Sequence, residues 1–139
     1  MKLNLNQITF IIVTYKSESI IHDCLSSLPS ESKKIVIENS SNINLEKDLK
    51  TKYDNIEVIL SENIGMGAGN NIGLNACKTK FAYVLNPDTK LNQNTIKNLI
   101  NGLNQISDFS IASPLNDDPN YPNYKISNSY KKDQNILSV

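Results

Sequence analysis

The chain has 139 residues, enough for one domain with a real hydrophobic core. Its 14 cationic residues, every one a lysine, balance 14 Asp and Glu, and no basic block stands out, so nucleic acid and acidic membrane surfaces are not indicated as partners. Without arginine there is no bidentate guanidinium clamp, and any phosphate must be held by a metal, by lysine point charges or by backbone N–H groups.

In chain order, residues 8–15 form a near-continuous apolar, β-branched run, which predicts a strand buried on both faces. Ser17 is placed to cap a helix over about 18–28, with Ile21, Leu25 and Leu28 on one stripe and Pro29 ending it. His22, the sole histidine, falls on the polar side of that helix and reads as a solvated surface residue. A short second strand over 34–38 precedes a polar helix over about 44–53, held by Leu45 and Leu49. Residues 56–60 read as a third strand. The glycine-rich run Gly65-Met66-Gly67-Ala68-Gly69 then opens a helix to about 78, with Ala68, Ile72 and Ala76 spaced four apart.

Residues 81–85 predict a fourth, buried strand, and 93–104 a helix with Ile96, Leu99, Ile100 and Leu103 on one face. A fifth strand is offered by 107–113. From Pro114 the composition turns to Asn, Asp, Pro, Tyr and Lys without periodicity, so 1–113 is expected to be the α/β domain and 114–139 an irregular polar segment of it. Cys24 and Cys77 are too few for a disulfide framework and lack metal-ligand spacing, so they read as small buried residues of a reducing compartment. No cleavable signal pattern and no apolar run of bilayer length is seen, so the expected location is cytoplasmic, or peripheral to the inner face of the membrane.

Strand–helix alternation predicts a mostly parallel sheet with helices on both faces, and such sheets bind ligands outside the carboxyl ends of their strands. The polar residues cluster at those ends. Thr14 and Tyr15 follow the first strand, Glu38-Asn39-Ser40-Ser41 the second, 63–69 the third and Asn86-Pro87-Asp88 the fourth. Proline fixes its own φ and pushes Asn86 toward extended backbone, so Asp88 projects from a stiff turn. A hard divalent cation commonly takes one or two carboxylates, with phosphate oxygens and water completing its shell. The plainer alternative is a strand-to-helix turn in which Asp88 or Thr89 caps the next helix. Gly65-x-Gly67-x-Gly69 follows the third strand and lacks the Gly-x-Gly-x-x-Gly spacing of dinucleotide-binding folds. Asn70 reads as an early-helix residue, and Lys16, beside the first strand end, could meet phosphate, with a solvated lysine the plainer reading.

Taken together, 11–15, 36–41, 63–73 and 85–89 resemble the family 2 glycosyltransferases of the GT-A fold, in order and spacing over roughly 8–113. Asn-Pro-Asp in place of Asp-x-Asp is similar to the rhamnosyltransferase-like branch. The resemblance implies that Thr14 and Tyr15 line the nucleotide base and that Glu38, with Asn39 beside it, reads the base edge. It implies that Asn63, Gly65, Gly67 and Asn71 bring backbone and helix N–H groups to the donor. Asn86 would hydrogen-bond the ribose or order the turn, and Asp88 would hold Mg2+ or Mn2+ against the pyrophosphate of a UDP- or dTDP-sugar.

The activity implied is inverting transfer to an acceptor hydroxyl, on a glycan or a lipid-linked acceptor, in cell-surface polysaccharide or glycan synthesis. The family draws its general base from a later acidic segment, and Asp117 and Asp118 do not match it, so this chain is expected to carry the donor-binding portion, with the catalytic base unassigned. A partial sheet of this kind would leave an unpaired apolar edge, favouring self-association or a partner. A non-catalytic nucleotide-binding or interaction domain on the same fold is the competing expectation; a sugar-1-phosphate nucleotidyltransferase ranks third, because the first strand lacks the Gly-rich basic loop it needs.

Overall fold

A computed structural model describes residues 2–92, 94–106 and 108–114. After a 3-10 turn at Leu5–Gln7, strands and helices alternate: β1 (Ile8–Thr14), α1 (Ile21–Ser26), β2 (Lys33–Glu38), α2 (Ile43–Lys52), β3 (Ile56–Leu60), α3 (Met66–Ala76), β4 (Phe81–Leu85) and α4 (Thr95–Leu103). The described residues fall into two compact units, one formed by 4–92 and one by 2–3 with 94–106 and 108–114.

Within the first unit the four strands form one parallel sheet in the order β3-β2-β1-β4. β1 lies at its centre and is buried along its whole length, which is why it reads as an unbroken apolar run. Parallel neighbours need crossover connections, and these are right-handed almost without exception. The chain moves outward from β1 to β3 through α1 and α2, then returns past β1 to β4 through α3. That reversal puts α3 on the face opposite α1 and α2.

The side chains agree. Val13, Ile35 and Ile37 form a buried cluster with Ile59, Ile72, Ala76 and Cys77 packed on it, so α3 sits on the odd-numbered face. On the other face Phe10, Ile12 and Val36 are wholly buried, and the Phe10 ring meets Tyr83 edge-on at 5.4 Å.

Several element details depart from expectation. Ile72 and Ala76 pack as expected, but Ala68 is exposed, and α3 also meets the sheet through Gly69 and Gly73. A Cβ on Gly73 would lie 2.4 Å from Ile11 Cγ2, and one on Gly69 would lie 2.8 Å from Val13 Cγ1. The helix is therefore seated closer to β1 than any side chain allows. Ser17 does not cap with its hydroxyl; Oγ donates to the Tyr15 carbonyl while the Ser17 carbonyl accepts from Ile20 and Ile21, and α1 is shorter as a result. The cap of α2 is Asn42, whose Oδ1 accepts from the Asn44 and Leu45 amides.

Among the described residues β4 is an edge strand, and it is not covered on both faces, since Ala82 and Val84 face outward and Val84 is 45% exposed. The fifth strand is absent from residues 108–114, where Ile111 is 92% exposed. A strand needs a neighbouring ladder for its N–H and C=O groups, and among the described residues none lies beside this segment. Ser107 and 115–139, including Asp117 and Asp118, lie outside the described residues.

His22 is not a solvated bystander. It stacks on Tyr53, takes a 3.1 Å contact from Tyr53 Oη at Nδ1, and sets Nε2 3.1 Å from Asp48 Oδ2, joining α1 to α2. At the amino edge of the sheet, Lys34 is buried with Nζ donating to the carbonyls of Ser30 (3.0 Å), Ser32 (2.8 Å) and Asp54 (3.4 Å). Burial pulls its ammonium below the ordinary lysine range, against the opposing pull of Glu31 and Asp54.

Within the second unit, α4 buries Ile96, Leu99 and Leu103. The Asn104 side chain brackets Leu3, accepting from its amide at 2.6 Å and donating to its carbonyl at 2.9 Å.

Candidate functional site

The sheet order fixes where a ligand can enter. Parallel sheets bind ligands at the carboxyl ends of their strands, and here the loop after β4 runs beside α1, the Leu91 amide donating to Ser27 Oγ at 3.0 Å. The ends are level. Thr14 pairs with Glu38, Glu38 with Leu60, and Ile12 with Leu85, one step before Asn86. Thr14, Tyr15, Glu38, Asn39 and Asn86-Pro87-Asp88 thus share one edge, joined by the 63–69 loop through a 3.3 Å bond from Asn39 Nδ2 to the Gly65 carbonyl.

Each loop is held by its own bonds. Glu38 is completely buried, and its carboxylate accepts from the Ser40 amide and hydroxyl and from the Asn42 amide, so both oxygens are engaged in fixing the β2–α2 loop. Asn42 Nδ2 in turn donates to Glu18 at 2.7 Å, tying that loop to the residues after β1. Asn63 Oδ1 accepts from the Gly65 amide at 3.3 Å. Gly65 carries φ +84°, a left-handed conformation other residues adopt at a cost, and it caps α3. A Cβ on Gly67 would meet nothing within 4 Å, so this exposed turn has open space before it. Asn71 is exposed on α3.

Two polar atoms at this edge are buried without a hydrogen-bond partner among the described residues: Thr14 Oγ1 and Asn39 Oδ1. A buried polar atom left unpaired carries a penalty of about 1–3 kcal/mol. The Asn39 amide is oriented by its Nδ2 bond to Gly65, which leaves Oδ1 a fixed acceptor.

After β4 the Thr89 amide donates to the Asn86 carbonyl at 3.1 Å, closing a turn with Pro87 at its second position and Asp88 at its third. The same carbonyl faces the Cys24 thiol at 3.6 Å. Burial, with the nearby Asp88 carboxylate second, pushes that thiol up to about 11. Asp88 is exposed, and the next helix starts only at Thr95 with Asn94 before it, so Asp88 does not cap it. Among the described residues no group of three or more His, Cys, Asp or Glu forms a cation cage. One exposed carboxylate on a stiff turn suits a hard cation that arrives with oxygens of its own, not a resident metal.

Sequence reasoning singled out these strand ends but missed the unpartnered Asn39 Oδ1 and the full engagement of Glu38, which only the folded loop defines. An open depression of about 480 Å3 lies at the amino edge, lined by Lys33, Lys50, Tyr53 and Lys78 among others. It shares no residue with the carboxyl-edge loops, and the nearby Lys34 ammonium is already saturated with carbonyls.

No helix among the described residues is long and apolar enough to cross a membrane. The family model described as Glycosyl transferase family 2 matches residues 9–137. The low-salt glycan biosynthesis hexosyltransferase Agl10 of Haloferax volcanii is 34% identical over 115 residues, covering 79% of this chain and 36% of that protein. Among solved structures, S. aureus TarS superposes with a TM-score of 0.59 at 21% identity, over 71% of this chain and 20% of that one. Its 1–349 form in complex with UDP-GlcNAc gives a TM-score of 0.60 at 22% identity, over 71% and 31% of the two chains. The chain thus spans about a third or less of each of these proteins and shares the GT-A fold with the solved ones.

Proposed function

The chain belongs to glycosyl transferase family 2, and on that premise we propose that it is the donor-binding portion of an enzyme that moves a sugar from a nucleoside diphosphate to an acceptor hydroxyl. The observation that carries this reading is the pair of buried atoms without a partner among the described residues, Thr14 Oγ1 and Asn39 Oδ1, at the carboxyl edge of the sheet that also carries Asp88. A pyrimidine base with a ring N–H offers the donor that Asn39 Oδ1 lacks. Glu38 holds the loop that presents Asn39, and Tyr15, 44% exposed, offers a ring on which the base stacks. Asn63 and Gly65 form the turn into α3, Gly67 lies in its first turn and Asn71 one turn further on, and the first N–H groups of the helix would face an anion arriving at its start.

Asp88 would hold Mg2+ or Mn2+ delivered with the diphosphate, and Asn86 orders the turn through its carbonyl. When bound, such a cation would supply stabilisation of the charge that grows on the leaving diphosphate. Pro87 keeps Asp88 at a fixed bearing, so this arrangement is set before the donor arrives. Support for a uridine nucleotide comes from TarS, solved with UDP and with UDP-GlcNAc. Support for glycan assembly, with a glycan or lipid-linked acceptor, comes from the Haloferax volcanii relative. Inverting stereochemistry, the rhamnosyltransferase-like branch suggested by Asn86-Pro87-Asp88, a 1–113 donor domain and a cytoplasmic or inner-membrane-peripheral location complete the proposal. The uncharged outer edge of β4 would seat a second copy or a partner strand.

Thermal melts with UDP, dTDP, ADP and GDP, each with and without Mn2+, test this. UDP or dTDP should raise the melting temperature, and Asp88→Ala should remove the Mn2+-dependent part. No stabilisation by any of the four would refute the donor site.

A further inference from the structure

Resting on that donor reading, the geometry points to Lys16 as the protein's cationic contact to the diphosphate, a role no motif in the sequence assigns. The chain has no arginine, so lysine alone can meet phosphate with a full side-chain charge. Among the described residues, only Lys16 and Lys90 lie in the loops that follow strand ends. Lys90 stands opposite Asp23 at 3.9 Å, its charge partly answered.

Lys16 directly follows the central strand and is exposed. Its backbone is left-handed, φ +51°, a conformation that is uncommon and costly for a residue with a long side chain. Strain of this kind persists where the surroundings impose it. Here Ser17 Oγ binds the Tyr15 carbonyl at 3.0 Å and turns the chain as soon as it leaves the sheet. The turn folds the lysine back over its neighbour, and Nζ lies 5.3 Å from the centroid of the Tyr15 ring. It makes no ion pair among the described residues.

An ammonium against an exposed aromatic ring is weakly held. A phosphate oxygen is a far better partner. The Tyr15 ring therefore acts as a parking place at the carboxyl edge of the sheet, from which the flexible stem carries the charge to the diphosphate when the base stacks.

The test is calorimetric titration of UDP or dTDP, and of the matching nucleoside, in the presence of Mn2+. Wild type is compared with Lys16→Met, Lys16→Arg and Lys16→Gly. Losing one charge-assisted phosphate contact should weaken the nucleotide roughly ten- to a hundredfold in the Met variant, leaving the nucleoside unchanged. Arg should retain most of the affinity. Gly relieves the left-handed strain, so it should melt no lower than wild type and still lose nucleotide affinity, which separates the charge from the fold. Equal nucleotide binding by wild type and Lys16→Met would overturn the assignment while leaving the donor site standing. Equal weakening of nucleotide and nucleoside would overturn it too, since Lys16 would then act through Tyr15. If wild type bound neither UDP nor dTDP, the donor reading itself would fall, and this inference with it.

Discussion

Replacing Gly73 by alanine tests the seating of α3 on the central strand. An alanine Cβ there lies 2.4 Å from Ile11 Cγ2 and 3.6 Å from both Cβ and Cδ1 of the same side chain. Ile11 is fully buried between β2 and β4, and the crowded methyl sits directly on its branched carbon, so it has little room to swing away. Overpacking of this type costs about 1–3 kcal/mol, while alanine gains about 1 kcal/mol over glycine in a helix interior. With so deep an overlap the upper part of the range applies, and the expected net loss is about 1–2 kcal/mol. Gly67, in the same helix, supplies the control: its Cβ would meet nothing within 4 Å, so the same substitution should stabilise by about 0.5–1 kcal/mol. Urea denaturation followed by circular dichroism reads both, provided the m-value is unchanged. If Gly73→Ala proved as stable as wild type, α3 would not lie on β1 as described.

Three further outcomes are expected. Glu38→Gln should lose about 1–3 kcal/mol, because a carboxylate that accepts from two amides and a hydroxyl gives way to a side chain with one acceptor; a neutral result would show the loop holds itself. Tyr53→Phe should lose about 0.5–1.5 kcal/mol by removing the hydroxyl that bonds the His22 ring and carbonyl, measured by the same melts, and no change would mean the α1–α2 clip is ornamental. Cys24 titrates at about 11 in the fold against an ordinary 9.0, so its protonated form is favoured by folding. Stability should be complete below pH 9 and fall as pH rises from 9 to 11, by up to about 2–3 kcal/mol, with the raised Tyr83 acting in the same direction. Cys24→Ala should flatten that decline; an unaltered alkaline limb would place its cause elsewhere.

The architecture was legible wherever one physical signal dominated. β1, β3 and β4 appeared as apolar, β-branched runs of strand length, and their alternation with helical periodicity implied the parallel sheet. Caps were less legible, since Ser17 and Asn42 are both good capping residues and only folded geometry decides which hydroxyl or amide is free to serve. The packing role of Gly69 and Gly73 was hidden because glycine carries no hydrophobic signal; of the stripe that periodicity favoured, Ile72 and Ala76 pack on the sheet and Ala68 does not. The residues 107–113 look like a strand by composition, but composition cannot report whether a neighbouring ladder exists. At the site, sequence located the right loops and could not say which acceptors they had already consumed. Glu38 and Asn39 are adjacent and chemically similar, and the fold leaves one saturated and the other with an unpartnered oxygen.

Lys34 gives the scaffold an asymmetry with practical use. Its ammonium knots three carbonyls together at the rim where strands begin, while the ligand-facing loops hang from the rim where they finish. The Lys34 anchor thus stands at the pole away from recognition, while Glu38 braces the recognition pole itself. A single change at Lys34 should therefore loosen the β2 and β3 entries together without altering ligand choice.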